Sequence, residues 1–241
     1  MHKLAIVVPI FNHAKQFKEF LPKLLSLGAP VILVDDGSRE AEELEIIAKE
    51  NGLIFARNEK NLGKGAAFCL GAKKADKLGF THIFQIDADG QHGIDSFENF
   101  KKASMENPDA VVNGCPVYRN APASRFYGRK ITNFWVSLEV PRVKIRDAMC
   151  GFRIYPLREV LKVLPSLKFA RMGFDIEIIV RLARAKCRIV NMDVAVDYPE
   201  NGASNFRMVK DNASISALHA LLCAEGIFKF LKEKFFIWKR R

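Results

Sequence analysis

Apolar and polar positions recur along this chain in two registers, one typical of strands and one of helices. Leu4 to Ile10 is a continuous apolar run rich in β-branched residues, the pattern of a strand buried on both faces. Past Phe11-Asn12-His13, the residues Phe17, Phe20, Leu21, Leu24 and Leu25 fall at spacings of three and four, which predicts a helix. Val31 to Val34 reads as a second strand. It ends in Asp35-Asp36-Gly37-Ser38, a turn able to cap the helix expected over 40–49. Leu53 to Phe55 is a short third strand, Asn61 to Gly65 a glycine-rich turn, 66–77 a helix and Thr81 to Ile86 a fourth strand. This alternation predicts an open, mostly parallel α/β sheet with right-handed crossovers and helices on both faces. Ligands of such sheets sit outside the carboxyl ends of the strands. Asn12, Asp35, Asp36 and Asp87 all fall just past expected strand ends, on one rim.

The second half is less periodic. A fifth strand is expected over 109–113, a helix from Gly173 to Ala185 with Ile178, Ile179 and Leu182 inward, and a last strand over 187–196. Leu218, Leu221, Ala224, Phe228, Leu231, Phe235 and Trp238 then recur at threes and fours, one stripe of a helix, with Lys229, Lys232, Lys234 and Lys239 among them. The chain thus reads as a domain over 1–207 and an amphipathic helical tail over 208–241. Basic residues with Phe and Trp at the boundary suit a helix lying on an anionic membrane surface. The commoner fate of such a stripe is packing on the sheet or on a second subunit, so a homo-oligomer stays open.

Composition narrows the class. With 241 residues, 49% of them hydrophobic, the chain can bury a sizeable core. Its five cysteines are scattered without a Cys-x-x-Cys pair, which argues for a reducing compartment and against a zinc or disulfide scaffold. The apolar run at the N-terminus ends in a motif rather than a cleavage site, so it is read as a strand and the protein as cytoplasmic. No stretch reaches the roughly 18 uninterrupted apolar residues of a membrane span. A formal charge of +11 calls for an anionic partner: nucleic acid, lipid or a phosphorylated substrate. No zinc-finger spacing, RNP-type strand or Gly-x-x-Gly loop is present, so nucleic acid is set aside.

The chemistry centres on Ile86-Asp87-Ala88-Asp89-Gly90-Gln91. In extended backbone, residues i and i+2 share a face, so Asp87 and Asp89 aim at one spot just past a strand. Two carboxylates that close repel unless a cation sits between them, and oxygen ligands suit Mg²⁺ or Mn²⁺. Gln91 adds a neutral oxygen. A plain polar turn is the competing reading, since Asp-Gly is a common turn pair. Gly63-Lys64-Gly65 is either a helix start or a phosphate cradle of backbone amides and a lysine. It is not a P-loop, and Gly-x-Gly-x-x-Gly is absent, which disfavours kinases and Rossmann dehydrogenases.

Val8-Pro9-Ile10-Phe11-Asn12, Val34 to Ser38, Asn61 to Gly65 and Asp87-Ala88-Asp89, in this order and spacing, resemble the family 2 glycosyltransferases of GT-A fold, in particular the dolichyl- or polyprenyl-phosphate sugar synthases. The resemblance covers roughly residues 3–210. It implies a Rossmann-like sheet and a nucleotide-sugar donor, UDP- or GDP-linked. Pro9, Phe11, Asn12 and Asp36 would line the base and ribose pocket, with Lys64 near the phosphates. Asp87, Asp89 and Gln91 would hold the metal on the diphosphate. His13 departs from the Glu that the synthases often carry there, and the basic residue of a Gly-Ser-Arg-Tyr-like segment has moved to Arg119. Asp147, ahead of Cys150-Gly151-Phe152-Arg153, is the candidate acceptor-side carboxylate that orients or deprotonates the attacking oxygen, its rival role being a turn cap. Arg153 is the candidate phosphate clamp. An acid at Glu177 matches the family, and Arg207, in a loop that closes over the donor, would meet the diphosphate. The resulting expectation is a metal-dependent inverting transferase, peripheral at the cytoplasmic face of the membrane, using a polyprenyl-phosphate or other lipid-linked acceptor. A nucleotidyltransferase and a non-catalytic membrane adaptor of the same fold are the alternatives.

Overall fold

The computed structural model describes residues 2–88, 90, 93–118, 123–196 and 208–238. The four strands expected in the first half are β1 (Leu4–Ile10), β2 (Val31–Asp35), β3 (Ile54–Arg57) and β4 (His82–Gln85). Between and after them run α1 (Ala14–Leu25), α2 (Ala41–Glu50), α3 (Lys64–Lys77) and α4 (Phe97–Glu106). The second half supplies β5 (Ala110–Tyr118), α5 (Ala123–Glu139), β6 (Arg153–Pro156), α6 (Leu157–Val163), α7 (Phe174–Arg184), β7 (Arg188–Val196) and α8 (Met208–Trp238). The seven strands lie in the order β3-β2-β1-β4-β6-β5-β7. All pairs are parallel except those of β6, which runs antiparallel between β4 and β5.

Two departures from the sequence pattern matter. β5 extends to Tyr118 instead of stopping near Asn113, because it pairs with β7 from Ala110↔Arg188 to Tyr118↔Val196. β6 has no sequence signature: four residues, one of them an arginine, show no usable alternation.

Side chains alternate across the sheet and build two apolar layers. Ile6, Val8 and Ile10 meet Phe17 and Leu24 of α1, Leu44 of α2 and Phe100 of α4. Ala5 and Val7 face the other way, onto Phe68 of α3, Val160 of α6 and Ile178 of α7. A third cluster joins Val136 of α5, Ile176 and Val180 of α7, and Ile215, Leu218 and Leu222 of α8.

The tail stripe does not act as one face. Leu218 is fully buried in this third cluster, whereas Phe228 and Leu231 are exposed. The helix docks along Asp211, Ile215, Leu218, His219 and Leu222, a line rotated from the expected one. The side chains of Phe235 and Trp238 lie outside the described set.

Candidate active site

β1 is the strand at which the winding reverses: β2 follows on one side and β4 lies on the other. Crevices at such switch points take ligands. Here the strands part early. Pairing of β1 with β4 ends at Val7↔Gln85, while pairing with β2 continues to Ile10↔Asp35. Odd residues of β1 turn their backbone toward β4, as Val7 O shows by accepting from Ile86 N. Pro9, which has no N–H, therefore sits on the side where the ladder has already ended. It is buried, and Phe11 and Asn12 are half-buried on the rim beyond it.

Asn12 (φ 54°) ties the first two loops together. Its amide donates to Ser38 Oγ and its Oδ1 accepts from Arg39 N, both at 2.9 Å. Asp35 is buried and accepts from Ser38 N, while Arg57 Nε stands 3.1 Å from its other oxygen. Asp36 turns inward. It accepts from Asn58 Nδ2, Leu62 N and Gly63 N, the last at 2.6 Å. A carboxylate has about four lone-pair positions, so most of the capacity assigned to a base or ribose is already engaged. Through these contacts Asp36 fixes the loop over 58–63.

The same contacts correct the phosphate-cradle reading of Gly63-Lys64-Gly65. Gly63 N is held by Asp36, and Gly65 N donates to Ala170 O at 2.7 Å. What the segment offers is the lysine. Gly63 (φ 106°) starts α3 so that Lys64 Nζ reaches Asp87 Oδ1 at 2.6 Å and Asp175 Oδ2 at 2.9 Å. Burial opposes its charge, but Asp175 and Asp87 outweigh that and hold the ammonium above the ordinary lysine range. Gly151 closes the group: a Cβ there would stand 2.7 Å from both Asp87 Oδ2 and Lys64 Nζ.

Asp175, in the first turn of α7, is the acid that joins Lys64. Glu177 instead accepts from Lys168 N, Phe169 N and Arg181, and is fully buried. Behind Asp175 runs a buried polar chain. Gln85 Nε2 donates to Asp175 Oδ1 at 2.7 Å, and Tyr155 OH donates to Gln85 Oε1 at 3.1 Å. Burial pushes the Tyr155 phenol up to about 12, so it remains a donor. Arg153 ends the chain. It donates to Asn113 Oδ1 at 2.6 Å and Asp175 O at 2.7 Å, lies within 3.4 Å of Tyr155 OH, and is 0% exposed. Arg153 therefore does not clamp phosphate: its fork is committed inside the protein, holding β6 against β5 and α7.

Asp147 is also pinned. Arg129 Nη1 lies 2.7 Å from both of its oxygens, and its Oδ1 accepts from Met149 N and Cys150 N. This is the turn-cap geometry, with an added ion pair to α5. It fixes the segment that lays Gly151 on Asp87.

Asp89, Gln91, Arg119 and Arg207 lie outside the described residues. Of the three residues expected to hold a divalent cation, Asp87 alone is described. Its side chain is 30% exposed at the mouth of the crevice, and its carboxylate is a hard oxygen donor of the kind Mg²⁺ and Mn²⁺ accept. Among the described residues no group of three potential ligands occurs. Gln85, Asn113 and Tyr155 escaped the sequence reading. The one available signal was Gln85, a polar residue within the apolar run Ile83 to Ile86.

Residues 5–158 match the family described as Glycosyl transferase family 2. An uncharacterized protein of Methanocaldococcus jannaschii is 34% identical over 82% of this chain and 90% of its own length. The UDP-N-acetylglucosamine–dolichyl-phosphate N-acetylglucosaminyltransferase of Methanococcus voltae is 25% identical, over 81% of this chain and 86% of its own. Among solved structures, glucosyl-3-phosphoglycerate synthase from Mycobacterium tuberculosis, in complex with Mn²⁺, UDP-glucose and phosphoglyceric acid, superposes with a TM-score of 0.67. It is 15% identical, and the match covers 93% of this chain and 79% of that one, a likeness of fold.

Proposed function

The chain belongs to the family 2 glycosyltransferases, with a GT-A fold, and on that premise we propose that it transfers a sugar from a nucleoside diphosphate-sugar to a polyprenyl or dolichyl phosphate, with a divalent metal. The observation that carries this reading is the cluster of Lys64, Asp87 and Asp175 just past the carboxyl end of β4, where β1 and β4 part at the switch point. The donor and acceptor classes are those in the name of the M. voltae relative. Asp87, with Asp89 and Gln91, would hold the cation; such a cation neutralises charge on the departing diphosphate. Lys64 brings a fixed positive charge to the same place, and Asn12 with the loop held by Asp36 shapes the nucleoside side.

In the displacement, a phosphate oxygen of the acceptor forms a bond to the anomeric carbon. The bond from that carbon to the diphosphate breaks, and the diphosphate keeps the electron pair. A phosphate acceptor is already ionised, so no general base is needed, in keeping with an Asp147 that is tied down by Arg129. The protein would work peripherally at the cytoplasmic face of the membrane; among the described residues no helix is long and apolar enough to cross one.

The test is product formation from UDP-glucose, UDP-N-acetylglucosamine and GDP-mannose with polyprenyl phosphate, in Mn²⁺ and in EDTA. Lipid-extractable sugar is expected with one donor and metal, and Asp89→Asn should lower the rate on the order of 10²-fold or more. Full activity in EDTA, or in Asp89→Asn, overturns the metal role; no lipid-linked product from any donor overturns the acceptor.

A further inference from the structure

α5 is apolar on two faces. Thr132 and Val136 turn inward, and Val136 packs with Ile176 of α7 and Leu218 of α8. On the opposite side Ile131, Phe134 and Leu138 stand 62%, 59% and 53% exposed, with Trp135 beside them. Their spacing of three and four makes one continuous stripe. A helix apolar all round is ordinarily buried, and a contiguous exposed apolar patch marks an interaction surface.

Charge says what kind of surface it meets. The α5 sequence carries Arg125 and Lys130 besides the Arg129 that pairs with Asp147, and its sole acid, Glu139, is buried against His219 Nδ1 at 2.7 Å. The chain leaving α5 adds exposed Arg142 and Lys144, which border a cleft of about 370 Å³ floored by Val136 and Val143. A second cleft of about 590 Å³ shares Arg142 and Val143 and reaches Lys229 of α8; its other charges are mixed, with Glu225 paired to Arg181 and Arg184. Exposed Ile227, Phe228 and Leu231 surround Lys229 along α8. Apolar ridges on two helices that pack together thus accompany one cleft whose charged lining, Arg142 and Lys144, is wholly basic.

We propose that this face seats the protein on an anionic bilayer surface, with Ile131, Phe134 and Leu138 entering the headgroup boundary and the cleft at Arg142 and Lys144 taking lipid phosphate. Aromatic and aliphatic side chains flanked by Lys and Arg are what such an interface selects. A second copy is the poorer occupant: a two-fold interface sets a patch against itself and would bring Arg142, Lys144 and Lys229 near their own copies. The seat rests on neither the donor nor the metal, so transfer and membrane binding can fail separately.

The experiment is co-flotation of the full chain with phosphatidylcholine vesicles, with and without phosphatidylglycerol. Binding is expected to the anionic vesicles only. Ile131→Gln/Phe134→Gln and Arg142→Gln/Lys144→Gln should each lower the partition coefficient on the order of tenfold. These side chains are exposed, so the thermal midpoint should hold. Three results overturn the proposal: no flotation with phosphatidylglycerol; flotation unchanged in the α5 variants but lost in Phe228→Gln/Leu231→Gln, which assigns the anchor to α8 alone; or a dimer in sedimentation equilibrium that the α5 variants dissociate without any vesicle binding.

Discussion

Lys64 Nζ lies within 2.9 Å of two carboxylates, and the absence of a side chain at Gly151 lets Asp87 and Lys64 keep that geometry. Gly151→Ala would push on the ends of two flexible side chains, so stability should change by about 1 kcal/mol or less. Displacing the pair by about 1 Å should still cost on the order of 10²-fold in kcat/KM. Transfer kinetics beside a urea midpoint separate the two effects, and an alanine variant with full kcat/KM defeats the assignment. Arg153 calls for the opposite outcome. Removing its fork leaves Asn113 Oδ1 and Asp175 O buried without those donors. Arg153→Ala is therefore expected to destabilise by roughly 3 kcal/mol or more, and Arg153→Lys by less, because lysine keeps the charge but not the planar geometry. Urea denaturation decides: a wild-type midpoint with weakened phosphate affinity would restore the clamp.

Among the elements, α7 and α8 connect the site to the rest of the fold. α7 presents Asp175 in its first turn and Arg184 in its last, where Arg184 Nη2 donates to Leu222 O of α8 at 2.7 Å. Gly173, which precedes α7, lies close to Leu218: a Cβ there would stand 3.1 Å from Leu218 Cδ2. Leu218→Ala should open a cavity in the α5–α7–α8 cluster and cost about 2–5 kcal/mol. Leu231→Ala, on the exposed half of the same helix, should stay within about 0.5 kcal/mol. Paired thermal melts test this; equal losses would mean that the second half of α8 is also packed. A sequence period of three and four specifies that α8 has a face, but two overlapping faces satisfy it, and the body selects one.

For the whole molecule, the pH dependence of stability has a defined sign. The His2 ring stacks on His82 at 3.9 Å and its Nε2 lies 2.9 Å from Ser104 Oγ. Burial, then His82 and Lys101, lower His2 from 6.5 to about 4, and burial lowers His82 as well. The native state therefore binds fewer protons than the unfolded chain. Its stability from these rings is complete above about pH 6.5 and is lost as pH falls toward 4. Lys64 shifts the other way: its contribution is constant below the ordinary lysine range and is lost only in alkali. The urea midpoint should fall between pH 7 and 5, and His2→Gln should flatten that fall. A variant that loses stability as steeply as the parent would place the sensitivity elsewhere.

The local pattern of the chain determined β1 to β4, the helices between them, the order of the motifs on one rim and, through those motifs, the family. These features depend on short-range periodicity and turn chemistry, which a sequence displays directly. Asp87 and Lys64 were legible as candidate site residues for the same reason: each follows a strand end or opens a helix. Tertiary structure alone decided what each polar group meets. Asp36 turns to Gly63, 27 residues on, and Lys64 to Asp175, 111 residues on. Arg153 reaches Asn113 only because β6 enters antiparallel between β4 and β5. A carboxylate or guanidinium carries no mark of its partner in the sequence; strand order sets which distant groups are desolvated together, and burial then requires them to pair.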